Sequence, residues 1–266
     1  MKRLFLLFYS LCLTCVQVLY LDHILFDITK EIFKGESHDC GYKNPYGSEK
    51  AMGIGVKYPW VMHVVIKEEH IHGGTLLSLK HVLTTANIFD GIDKVSRHNK
   101  VKVIPEYPGD TWKQDANKAR KVPVRKVDVH VLYDPSNNHY NVAVLTLEEV
   151  IVPLGRSWHF KALCLNIGRE IGIGQPLIAV SVHEDLVKYA NTTRVKSKTC
   201  EQLEPHQEKY ISFFSPFQFS TVHLSRYSIC VDKLEQEVPN QICDTGFGYP
   251  LFWLDKGTQK YVNRNS

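Results

Sequence analysis

Short runs of Val, Ile, Leu and Thr, each cut off by Gly, Pro, Asn or Asp, set the strongest limit on how this chain can fold. They fall at 61–66, 75–79, 82–85, 101–104, 122–132, 142–147 and 177–182. Such lengths suit strands and are too short for ordinary helices. Helical spacing is confined to 22–33, where Ile24, Leu25, Ile28 and Ile32 could line one face. An all-β sandwich or barrel is therefore expected. No internal repeat or low-complexity tract interrupts the pattern.

The composition can fill the core of such a fold. Of 266 residues, 44% are hydrophobic and 23% charged, with 16 Gly and 12 Pro. These values exclude a disordered tail, a collagen-like rod and a multi-span membrane protein. Lys plus Arg is 32 against 28 for Asp plus Glu, a formal +4 that is too weak to argue for a nucleic-acid partner. At the N-terminus, Lys2 and Arg3 precede an apolar run with no acid until Asp22. A signal peptide over 1–20 is expected. Ser10, Thr14 and Gln17 break the run, which speaks against a membrane anchor. A polar leader over 21–55 and one domain over 56–266 would follow.

Export would place the cysteines in an oxidising compartment, where thiols tend to pair. Cys12 and Cys15 would leave with the signal, and the remainder, Cys40, Cys164, Cys200, Cys230 and Cys243, are odd in number. At least one thiol is then free or intermolecular. None of the spacings suits a zinc site, and neither metal nor cofactor is expected. Asn191-Thr192-Thr193 is a sequon for N-glycosylation, with Asn191 as the acceptor.

The order of several segments carries more information. Tyr58-Pro59-Trp60-Val61, Gly73-Gly74-Thr75-Leu76-Leu77-Ser78 and His81-Val82-Leu83-Thr84-Thr85-Ala86-Asn87 follow one another closely. Farther on come Tyr140-Asn141-Val142-Ala143-Val144-Leu145-Thr146-Leu147 and Cys243-Asp244-Thr245-Gly246-Phe247-Gly248-Tyr249-Pro250-Leu251. In this order the segments resemble the strands and nucleophile loop of the trypsin-like serine proteases, over about residues 56–262. The resemblance implies two packed six-stranded antiparallel β-barrels. It also implies a shortened C-terminus lacking the last strand and helix, since the sequence stops at Ser266.

Carried over residue by residue, the family's catalytic positions hold the wrong chemistry. Its general base falls on Asn87, the acid that orients the base on Asn141 and the nucleophile on Phe247. An amide does not take up and return a proton near neutral pH, and a phenyl ring has no nucleophilic atom. The oxyanion-hole glycine falls on Thr245, and the Asp that pairs with the activated N-terminus falls on Gly246. Near residue 50, Lys50-Ala51 leaves a basic residue without the family's activation motif. The resemblance thus implies a pseudoenzyme, not an enzyme.

Disulfide pairing is likewise implied by the resemblance. Cys40 would tether the leader to Cys164, Cys200 would pair with Cys230, and Cys243 would remain as a thiol able to link a dimer. His72 and Ile88 stand where the family places the cysteines flanking its catalytic His. Cys40-Gly41-Tyr42-Lys43-Asn44-Pro45-Tyr46-Gly47 is similar to leader segments of arthropod serine protease homologues, which are non-catalytic. Their likeness implies a secreted, extracellular protein of haemolymph or venom that binds proteases, zymogens or other cascade proteins. Such binding would modulate or inhibit a cascade such as melanisation in innate immunity. Cys40 alone precedes Cys164 once the signal is gone, so a disulfide-knotted clip module is not expected. The alternatives are a structural or storage component of a secretion and a hydrolase with an unrecognised site.

Three further features are open to a functional and a structural reading. His63, His70 and His72 lie close in sequence, and residues two apart share a strand face, as a metal site would need. Lys113, Lys118, Arg120, Lys121, Arg125 and Lys126 form a basic stretch, diluted by Asp115 and Asp128. It could dock an acidic surface or polyanion, or simply be solvated. Phe213, Phe214, Phe217 and Phe219 around Ser215-Pro216 could be interface anchors or core.

Overall fold

The computed structural model describes residues 40–42, 58–67, 70–105, 120–136, 139–151, 160–166, 172–183, 186–194, 210–212, 230–232, 251–255 and 260–264. All of them belong to the unit Asp39–Ser266. The expected signal peptide, the 22–33 stretch and most of the leader lie outside the described residues.

Among the described residues the fold is built of strands and two 3-10 turns. The first strands are β1 (Val61–Ile66), β2 (His70–Ser78), β3 (His81–Thr84), β4 (Val101–Ile104), β5 (Val122–Val129) and β6 (Ala143–Leu147). They close into a barrel in the order β1-β2-β3-β6-β5-β4, with antiparallel pairing throughout. The 3-10 turns Asn87–Phe89 and Arg97–Lys100 lie between β3 and β4.

A shared apolar interior holds the barrel closed. Met62, Val64, Leu76, Val82, Val101, Val103, Val122, Val124, Leu145 and Leu147 form a buried interior cluster. Space there is tight at Gly74, where an added Cβ would stand 2.7 Å from Val82 Cγ1 and 3.1 Å from Val64 Cγ2. Only glycine lets β1, β2 and β3 approach this closely. Register shifts at Leu76/Ser78 and Val124/Lys126 add the local bends that help a sheet curl into a barrel.

One expected strand is shorter than its apolar run. The 122–132 run pairs only to Val129, because the chain then turns and the Tyr133 N–H donates to the His130 carbonyl at 2.9 Å. Val131 and Leu132, which would have continued the strand, are exposed.

The second half contributes β7 (Cys164–Asn166), β8 (Pro176–His183), β9 (Leu186–Thr193), β10 (Tyr210–Ser212), β11 (Cys230–Asp232), β12 (Leu251–Asp255) and β13 (Lys260–Arg264). Its described strands form a five-stranded sheet, β7-β13-β12-β8-β9, and a two-stranded ribbon, β10-β11. The β13–β7 pair is parallel, while the other pairs in this half are antiparallel. Phe252 of β12 carries the contact with the barrel. Its ring centroid lies 5.1 Å from Tyr58 and 5.3 Å from Trp60, both edge-on. Edge-to-face aromatic packing of this kind adds to the burial of three large rings. The two-part β architecture of the described residues is that of the trypsin-like fold.

The leader is fastened where β7 begins. Cys40 is bonded to Cys164, as the family resemblance implies, and the Gly41 N–H donates to the Ala162 carbonyl at 2.7 Å. Gly41 has φ 74, in the left-handed region where glycine carries no Cβ penalty.

Candidate functional site

The candidate site sits at the end of the barrel where β3 and β6 run side by side, with Thr84 opposite Ala143. Beyond β3 the chain enters the 3-10 turn Asn87–Phe89. Ala86 and Phe89 are buried in the barrel core, so the turn is pinned there by apolar packing. Asn141 stands two residues before β6, after Tyr140, whose φ of 53 marks a sharp change of direction. Strand pairing thus joins two positions that are 54 apart in sequence: the Asn87 N–H donates to Asn141 Oδ1 at 2.8 Å. Asn141 is 7% exposed.

The Asn87 side-chain oxygen has no such anchor among the described residues. This Oδ1 is buried without a hydrogen-bond partner among them, and so is Thr85 Oγ1 two residues earlier. An acceptor held this way is costly, on the order of 1–3 kcal/mol. The amide side chains of Asn87 and Asn141 offer donors and acceptors but no group that titrates near neutral pH.

The rim is built by the segment between β5 and β6. The Tyr133 hydroxyl donates to Asp90 Oδ2 at 2.8 Å, tying this segment to the end of the Asn87–Phe89 turn. Burial, reinforced by the Asp90 carboxylate, raises the pKa of that phenol. His130 stacks on Tyr140 with centroids 4.9 Å apart and planes 5° apart. Its Nδ1 accepts the Leu132 N–H at 3.2 Å, and burial lowers its pKa, so the ring is held neutral. Sequence reasoning did not anticipate the Tyr133–Asp90 bond or the His130–Tyr140 stack. Their partners are distant in sequence or separated by a turn, and no local pattern links them.

The remaining expected site residues fall in several places. Phe247, Thr245, Gly246, Cys200 and Cys243 lie outside the described residues, as do Lys113, Lys118 and the 213–219 aromatic segment. Cys230 opens β11, opposite Ser212. Asn191 is exposed on β9, opposite Ile178, with Thr192 beside it buried.

The histidines are divided by strand register. His63 of β1 lies opposite Gly73, whereas His72 of β2 lies opposite Val64. Neighbouring residues on β1 point to opposite faces, so His63 and His72 leave opposite sides of the sheet. Among the described residues, no group of three or more His, Cys, Asp or Glu could hold a metal. His63 is fully buried, and desolvation lowers its pKa to about 4.

Comparison with known proteins agrees with this architecture. A family model described as "Trypsin" matches residues 47–214. Among solved structures, the secreted serine protease VesC from Vibrio cholerae is similar, with a TM-score of 0.57 and 17% sequence identity. The match covers 80% of this chain and 41% of that one.

Proposed function

Starting from the fact that the chain belongs to the trypsin family, we propose that it is a secreted, catalytically inactive member that works by binding proteins. The observation that carries this reading is the Asn87–Asn141 junction. Where the resemblance puts a general base and the acid that orients it stand two asparagines, and among the described residues the Asn141 side chain accepts only the backbone N–H of Asn87, at 2.8 Å. Proton transfer between nucleophile and leaving group has no carrier in such a pair. Phe247, carried over to the nucleophile position, leaves nothing to acylate.

A fold that has lost its chemistry can still present surfaces, because function resides in sites grafted on the scaffold. In this reading the partners are proteases, zymogens or other cascade proteins, and the effect is modulation or inhibition of the cascade. The tie between Cys40 and Cys164 fits an oxidising, extracellular setting. Asn191, exposed on β9, serves as a glycan acceptor, Cys200 pairs with Cys230, and Cys243 is the odd thiol.

The test is affinity capture by the purified chain from a fluid with an intact proteolytic cascade, together with labelling by a fluorophosphonate probe. Retention of a protease or zymogen, with altered activation and no labelling, is expected. Covalent labelling with peptide turnover, or no capture and unchanged activation, would refute the proposal.

A further inference from the structure

The outer face of the barrel along β4 and β5 gathers much of the positive charge of a chain whose formal total is only +4. Val101, Val103, Val122 and Val124 all point into the core, so Lys102 and Pro123, which are opposite each other, face outward. Arg125 follows on the same outward side and is exposed. The bulge at Val124/Lys126 then brings Lys126 to the surface beside it.

Two more cations adjoin this face. Lys100 immediately precedes β4, and continuing the β4–β5 register sets it beside Arg125. Lys67, one residue past β1, donates its N–H to the Lys100 carbonyl at 2.9 Å. Both side chains are exposed. A band of cations therefore crosses β1, β4 and β5, about 10 Å wide at a strand spacing of about 4.8 Å.

Like charges on neighbouring strands repel, and a fold normally interleaves acids among them. Here Lys126 has Asp128 at 2.8 Å, while Asp93, bonded to Ser96, lies near enough to Lys100 to feel its charge. Lys67 and Arg125 have no carboxylate partner among the described residues. Nearby Arg120, by contrast, is paired with Glu149 at 2.9 Å.

We propose that this band is a binding site for a sulfated polysaccharide. A protein partner would call for aromatic or large apolar anchors at the centre of the contact. No exposed large hydrophobic residue of the described set lies on β1, β4 or β5. A linear polyanion asks only for closely spaced cations and gains from release of its own counterions. The Cys40–Cys164 bond points to the extracellular space, where sulfated glycans are available. This inference is independent of the loss of catalysis.

The test uses immobilised heparin, with desulfated heparin as a control, over a range of salt concentrations. Parent protein should bind the sulfated form at physiological salt. The variant Lys67→Ser/Lys100→Ser/Arg125→Ser should lose at least about tenfold in affinity, and its log-affinity against log-salt slope should fall by about 3, one per cation removed. A control variant, Lys80→Ser/Arg194→Ser, removes cations away from the band and should change affinity by less than about threefold. Circular dichroism and thermal melting confirm that each variant folds. An equal loss per cation removed in both variants would show a net-charge effect and overturn the proposal. So would absence of binding, or equal affinity for poly-glutamate or for phosphatidylserine vesicles.

Discussion

Replacing Asn141 by Ala tests whether the candidate site is a structural junction as well as a chemical one. Asn141 Oδ1 accepts the Asn87 N–H at 2.8 Å, and Asn141 is 7% exposed, so its removal leaves that donor without its partner in a part-buried setting. Leaving a buried donor unsatisfied costs about 1–3 kcal/mol, and a central value of about 2 kcal/mol is expected here. For a domain of this size that corresponds to a fall in Tm of about 4–8 °C. Asn141→Asp keeps an acceptor oxygen in place and should stay within about 1 kcal/mol of the parent. The assay is urea unfolding at constant pH, followed by tryptophan fluorescence and circular dichroism. An Asn141→Ala midpoint unchanged to within about 0.5 kcal/mol, or an equal loss in Asn141→Asp, would refute the reasoning.

Other outcomes follow from the same geometry. Cys40→Ser should destabilise the fold by up to about 5 kcal/mol in the chain-entropy treatment, since the bridged residues are 124 apart. Urea midpoints with and without reductant would measure this, and reductant-insensitive parent stability would contradict it. Gly74→Ala forces a Cβ to within 2.7 Å of Val82 Cγ1 and should cost about 1–3 kcal/mol by overpacking. Differential scanning calorimetry would detect the change, whereas an unaltered Tm would mean that the three strands separate freely. His63 is held neutral, with its pKa at about 4 in the fold against 6.5 ordinarily, so its contribution is complete above pH 6.5 and lost as pH falls towards 4. The loss approaches about 3 kcal/mol. His63→Gln should flatten that part of the pH–stability curve, and a parallel curve would defeat the assignment. Phe247→Ser alone should produce no peptidase turnover, because Asn87 and Asn141 remain, and measurable hydrolysis of peptide substrates would overturn the pseudoenzyme reading.

Strand identity was legible wherever a short run of Val, Ile, Leu and Thr is bounded by turn residues. The runs at 61–66 and 101–104 coincide with β1 and β4, and those at 142–147 and 177–182 lie within a residue of β6 and β8 at each end. Apolar runs and turn residues are local properties, and each strand's own sequence carries them. β9, by contrast, reads Leu-Val-Lys-Tyr-Ala-Asn-Thr-Thr and gave no such signal; pairing with β8 along its whole length makes it a strand. The overlong 122–132 run erred for the converse reason, since apolar residues at Val131 and Leu132 continue past the point where the chain turns.

The site divides in the same way. Residue identity at 87 and 141 already limits the chemistry, because an amide does not titrate near neutral pH wherever the fold places it. That Asn87 and Asn141 meet, that His63 and His72 part, and that Lys67, Lys100 and Arg125 converge depends on strand register. Register is fixed by backbone hydrogen bonds and core packing between distant segments, and a one-residue slip would send each side chain to the other face.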